Sequence, residues 1–195
     1  MEKTFSDEFV EIFEKNITRQ GAKQLLNWLM HSDFFIAPAS TKFHLSEPEG
    51  LLRHSLNVYH RLKDECEHTN FQDLGMEKPS DETIAIVGLL HDLCKVNMYK
   101  VGKKNQKQED GSWKEVPYYT VEDELPYGHG EKSVMMISGF MKLTRDEMYA
   151  IRWHMGGFDD AVKGGSFCLN KVYKVCPLAL LAHIADQKAT WFDEE

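Results

Sequence analysis

Apolar residues recur along most of this chain at the three-to-four-residue spacing of an amphipathic helix, and one stretch departs from that rhythm. SDEFVEIFEKN, residues 6–16, predicts a first helix, with Ser6 as its cap and acids in the first turn, where a helix N-terminus favours them. AKQLLNWLMH, 22–31, predicts a second, and the Pro, Ser and Gly content of APASTKFHLSEPEG, 37–50, predicts a loop. A long helix follows over about 51–68, with Leu51, Leu52, Leu56, Val58, Tyr59 and Leu62 on a broad apolar side. Pro79-Ser80-Asp81-Glu82 caps the next helix, IAIVGLLHDLCKV, 84–96, which is apolar enough to be buried all round. Helices resume at about 129–142 and 144–155, the latter with Thr144 and Glu147 at capping-box spacing. Beyond the loop GGFDDAVKGGSF a last helix runs from about Pro177 to Trp191.

Residues 97–127 break the helical period. Asp110-Gly111 separates Tyr99–Val101 from Trp113–Val121, and the second arm is rich in aromatic and β-branched residues, so a β-hairpin is expected. The expected fold is all-α, a helical bundle with one small hairpin insertion at about 97–127. The length of 195 residues fits a single domain, 1–195, with 1–36 forming N-terminal helices that pack on it.

Composition narrows the class. The formal charge of −8 opposes non-specific binding to nucleic acid. The N-terminal MEKTFSDEFVEIFEK has no signal-type apolar core, and no apolar run approaches membrane-spanning length, so a cytoplasmic protein without membrane attachment is expected. Cys66, Cys94, Cys168 and Cys176 form no CxxC pair and read as reduced thiols.

Within this ordinary composition, two carboxylates sit in costly places. Asp92 interrupts an apolar helix, and Asp186 lies on or beside a small-residue face of the last helix with Ala179, Ala182, Ala185 and Ala189. A buried carboxylate must find a partner or give up its charge. Four histidines, each near a helix end or in apolar text, are candidates: His54, His91, His129 and His154. Together with Asp92 and Asp186 they form an imidazole and carboxylate set suited to Fe, Mn, Zn or a similar metal. Six side chains with one bridging carboxylate suit two ions better than one.

The order His…His-Asp…His…His…Asp, carried by GLLRHSLNV, GLLHDLCK, GHGEKS, IRWHMGG and AHIADQKA, resembles the HD-domain superfamily of metal-dependent phosphohydrolases. The similarity spans roughly residues 50–190 and is greatest to the subgroup with two additional histidines, which generally holds two metals. EGLLRH, Glu49 to His54, also loosely resembles a helix start in the HD module of bacterial exoribonucleases. The resemblance implies that His54, His91, Asp92 and Asp186 hold one ion and that Asp92 bridges to a second held by His129 and His154. The cofactors it implies are two divalent transition-metal ions (Fe, Mn, Zn, Ni or Co), with Mg as a further candidate. It also implies cleavage of a phosphomonoester or phosphodiester, in a small nucleotide-like substrate, by a metal-bridging hydroxide.

Lys95 matches the HDxxK pattern and is the expected catalytic partner of Asp92, supplying charge to phosphoryl oxygens. Arg53, Arg152 and the loop residue His44 are weaker candidates for substrate contacts. So are Lys103 and Lys104 on the hairpin, which should form a lid or pocket wall because it leaves after Lys95 and returns before His129. His183, one turn before Asp186, is expected to orient a ligand, and His31, His60 and His68 to lie at the surface. Two other functions remain open: a di-iron oxygenase with the same ligand order, and a nuclease or nucleic-acid-binding module kept in view by the hairpin lysines. The sequence leaves room for a homo-oligomer.

Overall fold

In the computed structural model, which describes residues 3–194, nine α-helices form a bundle from which one two-stranded sheet projects. They are α1 (Phe5–Asn16), α2 (Ala22–His31), α3 (Gly50–His68), α4 (Asp81–Leu90), α5 (His129–Ser138), α6 (Arg145–Trp153), the short α7 (Asp160–Lys163), α8 (Cys168–Val175) and α9 (Pro177–Lys188). The expected all-α bundle with one hairpin is observed. None of the helices among the described residues is long and apolar enough to cross a membrane.

Several boundaries differ from those the sequence predicted. The cap of α1 is Thr4, not Ser6: Thr4 and Asp7 form a capping box, while Ser6 lies inside the helix. Thr144 and Glu147 form the expected box on α6. CLNKVYKV, unassigned in the sequence, forms α8, with Leu169 and Val172 buried. The last helix stops at Lys188 and continues as a single π-helical turn, Ala189–Asp193.

The core is built around α4, whose residues Ile84–Leu90 are all buried. It packs on α3, where Leu51, Leu52 and Leu62 are fully buried, and α9 packs on the same α3. Gly88 makes the crossing possible: a Cβ there would lie 2.5 Å from the Tyr59 Cα, so any side chain would force α3 and α4 apart. From the N-terminal side, α1 adds Phe9 and Phe13 to this core, against α3 and α4.

The hairpin pairs β1 (Tyr99–Lys107) with β2 (Trp113–Val121), antiparallel, in register from Tyr99↔Val121 to Lys107↔Trp113. Its turn has Gly111 at φ +82° and Asp110 Oδ1 accepting from the Ser112 amide at 2.9 Å, as the Asp-Gly pair predicts. The root is tied down, with the Asn97 amide donating to Asp33 and Lys132 of α5 paired with Asp123.

One buried ion pair closes the bundle. Glu147 is fully buried and accepts from Arg19 Nη1 at 2.8 Å and Nη2 at 2.9 Å, and from Thr83 Oγ1 at 2.9 Å. Arg19 also reaches Glu82, so one guanidinium joins the α1–α2 connection to α4 and α6. Removing it leaves a buried carboxylate without its counter-charge. Arg19→Ala should therefore lower unfolding stability by about 3 kcal/mol in denaturant titration; a loss under about 1 kcal/mol would mean that Thr83 and the Thr144 amide suffice to hold the carboxylate.

Candidate metal centre

The α-helix carrying the His-Asp pair ends before it. α4 stops at Leu90, and His91 and Asp92 lead into a tight 3-10 turn over Leu93–Lys95. Asp92 has φ −100° and ψ 21°, the bridge region where active-site residues often sit. The turn folds Lys95 back so that its Nζ lies 2.7 Å from Asp92 Oδ2. The sequence predicted a continuing helix; a 3-10 turn replaces its last turn, and the i, i+3 spacing keeps Lys95 beside Asp92 in either form.

All six predicted ligands converge. His129 Nε2 is 2.7 Å and His154 Nε2 3.4 Å from Asp92 Oδ1; His54 Nε2 is 3.4 Å and His91 Nε2 3.5 Å from Asp92 Oδ2. Asp186 Oδ1 lies 3.2 Å from His54 Nε2. Five of the six are buried, and His129 is partly open. Ligand atoms lie within 4.8 Å of one another in each of the sets His54/His91/Asp186, His91/Asp92/His154 and Asp92/Cys94/His129. His129 and His154 come from α5 and α6, which touch backbone to backbone at Gly130; a Cβ there would be 2.2 Å from the Arg152 carbonyl oxygen.

The histidines' outer nitrogens decide what the inner ones can do. His91 Nδ1 faces the Gly88 carbonyl at 3.0 Å, and His154 Nδ1 faces that of Ile151 at 2.7 Å. Each therefore donates from Nδ1 and turns an Nε2 lone pair inward. His54 Nδ1 faces Glu194 at 3.0 Å, and its Nε2 meets that of His91 at 3.2 Å. Among the described residues His154 Nε2 has no hydrogen-bond partner. Lone pairs and carboxylates converging without enough protons between them are what a divalent cation neutralises, so the donor set fits one.

The charges are strongly coupled. Burial by itself would raise the Asp92 pKa, but Lys95, His91 and His129 outweigh it and hold the carboxyl well below the usual range. Burial likewise opposes protonation of His54, yet Asp186, Asp92 and Glu194 raise it well above an ordinary imidazole. His129 is pushed up to about 10, with Cys94 and Asp92 overriding burial. A bound dication takes the place of these protons.

The cluster floors a cavity of about 880 Å³ whose walls include Phe43, His44, Tyr99, Phe158 and Trp191, with Lys95 beside the floor. Burial above all, with His54 and Lys95 adding to it, lowers the His44 pKa to about 4.

A family model described as HD domain matches residues 51–191. The chain belongs to the HD-domain family. No curated protein and no solved structure matches it. HD domains bind divalent metals and form a superfamily of metal-dependent phosphohydrolase type. The matched span contains His54, His91, Asp92, His129, His154 and Asp186, the residues this HD domain gathers around one point.

Other expected contacts are not brought to this cavity. Arg53 pairs with Glu47 at the surface, and Arg152 with Glu131 and Asp159 Oδ2, the latter at 2.7 Å. Lys103 pairs with Glu115 and Lys104 lies over the Tyr118 ring, because the hairpin projects outward and only its root, at Met98, Tyr99 and Val121, reaches the cavity. The hairpin is a wall at its base and not a lid. His31, His60 and His68 make the surface contacts expected of them, with Asn27, Glu8 and Asp64. His183 Nδ1 lies 2.7 Å from the His154 carbonyl oxygen, fixing the end of α6 and not facing the cluster.

Cys94, three residues after His91, had a spacing that allowed it to join a metal site, and its Sγ lies 3.3 Å from His129 Nδ1. Glu194, from a charged terminal run, had no signal in the sequence. Asp92→Ala should weaken divalent-metal binding about 100-fold or more, by elemental analysis and calorimetry, because all four histidine ligands border this carboxylate; wild-type metal content in the variant would refute that centrality.

Proposed function

We propose that this HD domain is a phosphohydrolase cleaving a phosphomonoester or phosphodiester of a small, nucleotide-like molecule. In this reading two divalent transition-metal ions are held, one by His54, His91, Asp92 and Asp186, the other by Asp92, His129 and His154. When bound, such ions lower the pKa of water towards about 7 and polarise phosphoryl oxygens.

The observation that carries the reading is Lys95, anchored 2.7 Å from Asp92 and lining the cavity beside the cluster. Burial opposes its charge, but Asp92 more than compensates and raises its pKa, so the ammonium stays charged. A fixed cation there can meet negative charge gathering on phosphoryl oxygens without reorganising. Phe43, Tyr99, Phe158 and Trp191 offer flat faces on which a base can stack. His44 stays neutral at neutral pH and serves as a polar substrate contact without charge.

The oxygenase alternative would use the same ligands but gives Lys95 no task. The nucleic-acid alternative loses support because Lys103 and Lys104 project away from the cavity.

Metal-loaded protein should release phosphate or nucleotide from some member of a panel of nucleoside mono- and diesters. Lys95→Ala should reduce kcat about 10²–10³-fold with metal content unchanged. Absence of turnover on the whole panel, with oxygen consumption by an iron-loaded sample instead, would replace this reading with the oxygenase.

A further inference from the structure

One face of α3 is laced to the last residues of the chain. Glu65 pairs with Lys188, Arg61 Nε donates to Asp193 Oδ2 at 2.8 Å, and Asn57 Nδ2 donates to Glu194 Oε1 at 2.9 Å. His54 follows, its Nδ1 3.0 Å from the same Glu194 oxygen. Positions 65, 61, 57 and 54 fall on successive turns of one helix face. Across from them the chain leaves α9 through the π turn Ala189–Asp193, which brings the Glu194 side chain back to a fully buried position. The His54 ring thus has Asp186 at one nitrogen and Glu194 at the other, both from the same continuous segment.

His54 needs such a partner because of where it sits. His91 and His154 stand at the C-terminal ends of α4 and α6, where the carbonyl three residues back is available to Nδ1. His54 lies inside α3, where the preceding carbonyls are engaged in the helix. A side chain must supply the acceptor.

Resting on the metal-site reading above, we infer that Glu194 is a positioning residue that accepts the His54 Nδ1 proton and thereby presents the Nε2 lone pair to a divalent cation. A carboxylate in this place orients the ring and also strengthens the imidazole as a donor. Asn57 holds the carboxylate, and Arg61–Asp193 anchors the turn that delivers it.

The test compares wild type, Glu194→Ala and Glu194→Gln, stripped by chelator and titrated with Zn²⁺ by calorimetry. Glu194→Ala should weaken one binding step 10–100-fold, and Glu194→Gln, which keeps an acceptor but no charge, on the order of tenfold. Nitrogen-15 spectra of the zinc-loaded wild type should show His54 protonated at Nδ1. A merely structural role would lower the melting temperature of the stripped variants and leave zinc affinity unchanged. Unchanged affinity in either variant, or zinc bound through His54 Nδ1, overturns the inference while leaving the metal site standing. A wild type that takes up no zinc, and no Mn²⁺ or Fe²⁺ in the same titration, removes the metal-site reading and this inference with it.

Discussion

A charged carboxylate held away from water is the constraint around which this chain is arranged. Asp92 sits at the end of the most apolar helix of the bundle, where an isolated anion would be far too costly. The fold answers with cationic or cation-binding groups from several directions: Lys95 from the adjoining turn, His54 from α3, His129 from α5 and His154 from α6. Burial strengthens each of these interactions, because little solvent screens them. The same burial makes the cluster intolerant of a missing partner.

Holding so many groups at one point requires support behind each. The imidazoles are turned by the Gly88 and Ile151 carbonyls, by Cys94 and by Glu194, and the end of α6 is in turn held by His183. The surrounding apolar packing keeps these partners in place: α4 crosses α3 closely at Gly88, and α9 lies along α3 on another side. Binding determinants and core packing are therefore one system here, with Asp186 and the buried residues Ala182 and Ala185 sharing α9.

Much of this was legible in the sequence, for identifiable reasons. Helices with a long apolar stripe, such as α3, announce themselves by period, and the ligand residues stood out because a histidine or aspartate in apolar text is anomalous. The backbone after Leu90 was not legible, because continuous apolarity cannot tell an α-helix from a helix ending in a 3-10 turn, whereas the i, i+3 spacing that puts Lys95 beside Asp92 could be read in either form. α8 was missed because eight residues with two buried positions give too short a pattern. The hairpin lysines misled for a different reason. Local sequence identified the strands, but the direction in which the hairpin leaves the body is set by tertiary contacts at its root. Glu194 had no local signal at all, since its role comes from a contact 140 residues away.

The contact at Gly130 has a wider meaning. Where α5 meets α6, peptide touches peptide, and no rotamer intervenes between the helix that bears His129 and the one that bears His154. The aromatic walls, by contrast, come from a loop at Phe43, a 3-10 turn at Phe158 and the terminal π turn at Trp191. Of these three walls the Phe43 loop alone stands apart from the cluster, since the Trp191 turn also delivers Glu194 to His54 and the Phe158 turn follows closely on His154. The face at Phe43 can therefore be remodelled by mutation or drift while the spacing of the cluster stays as it is.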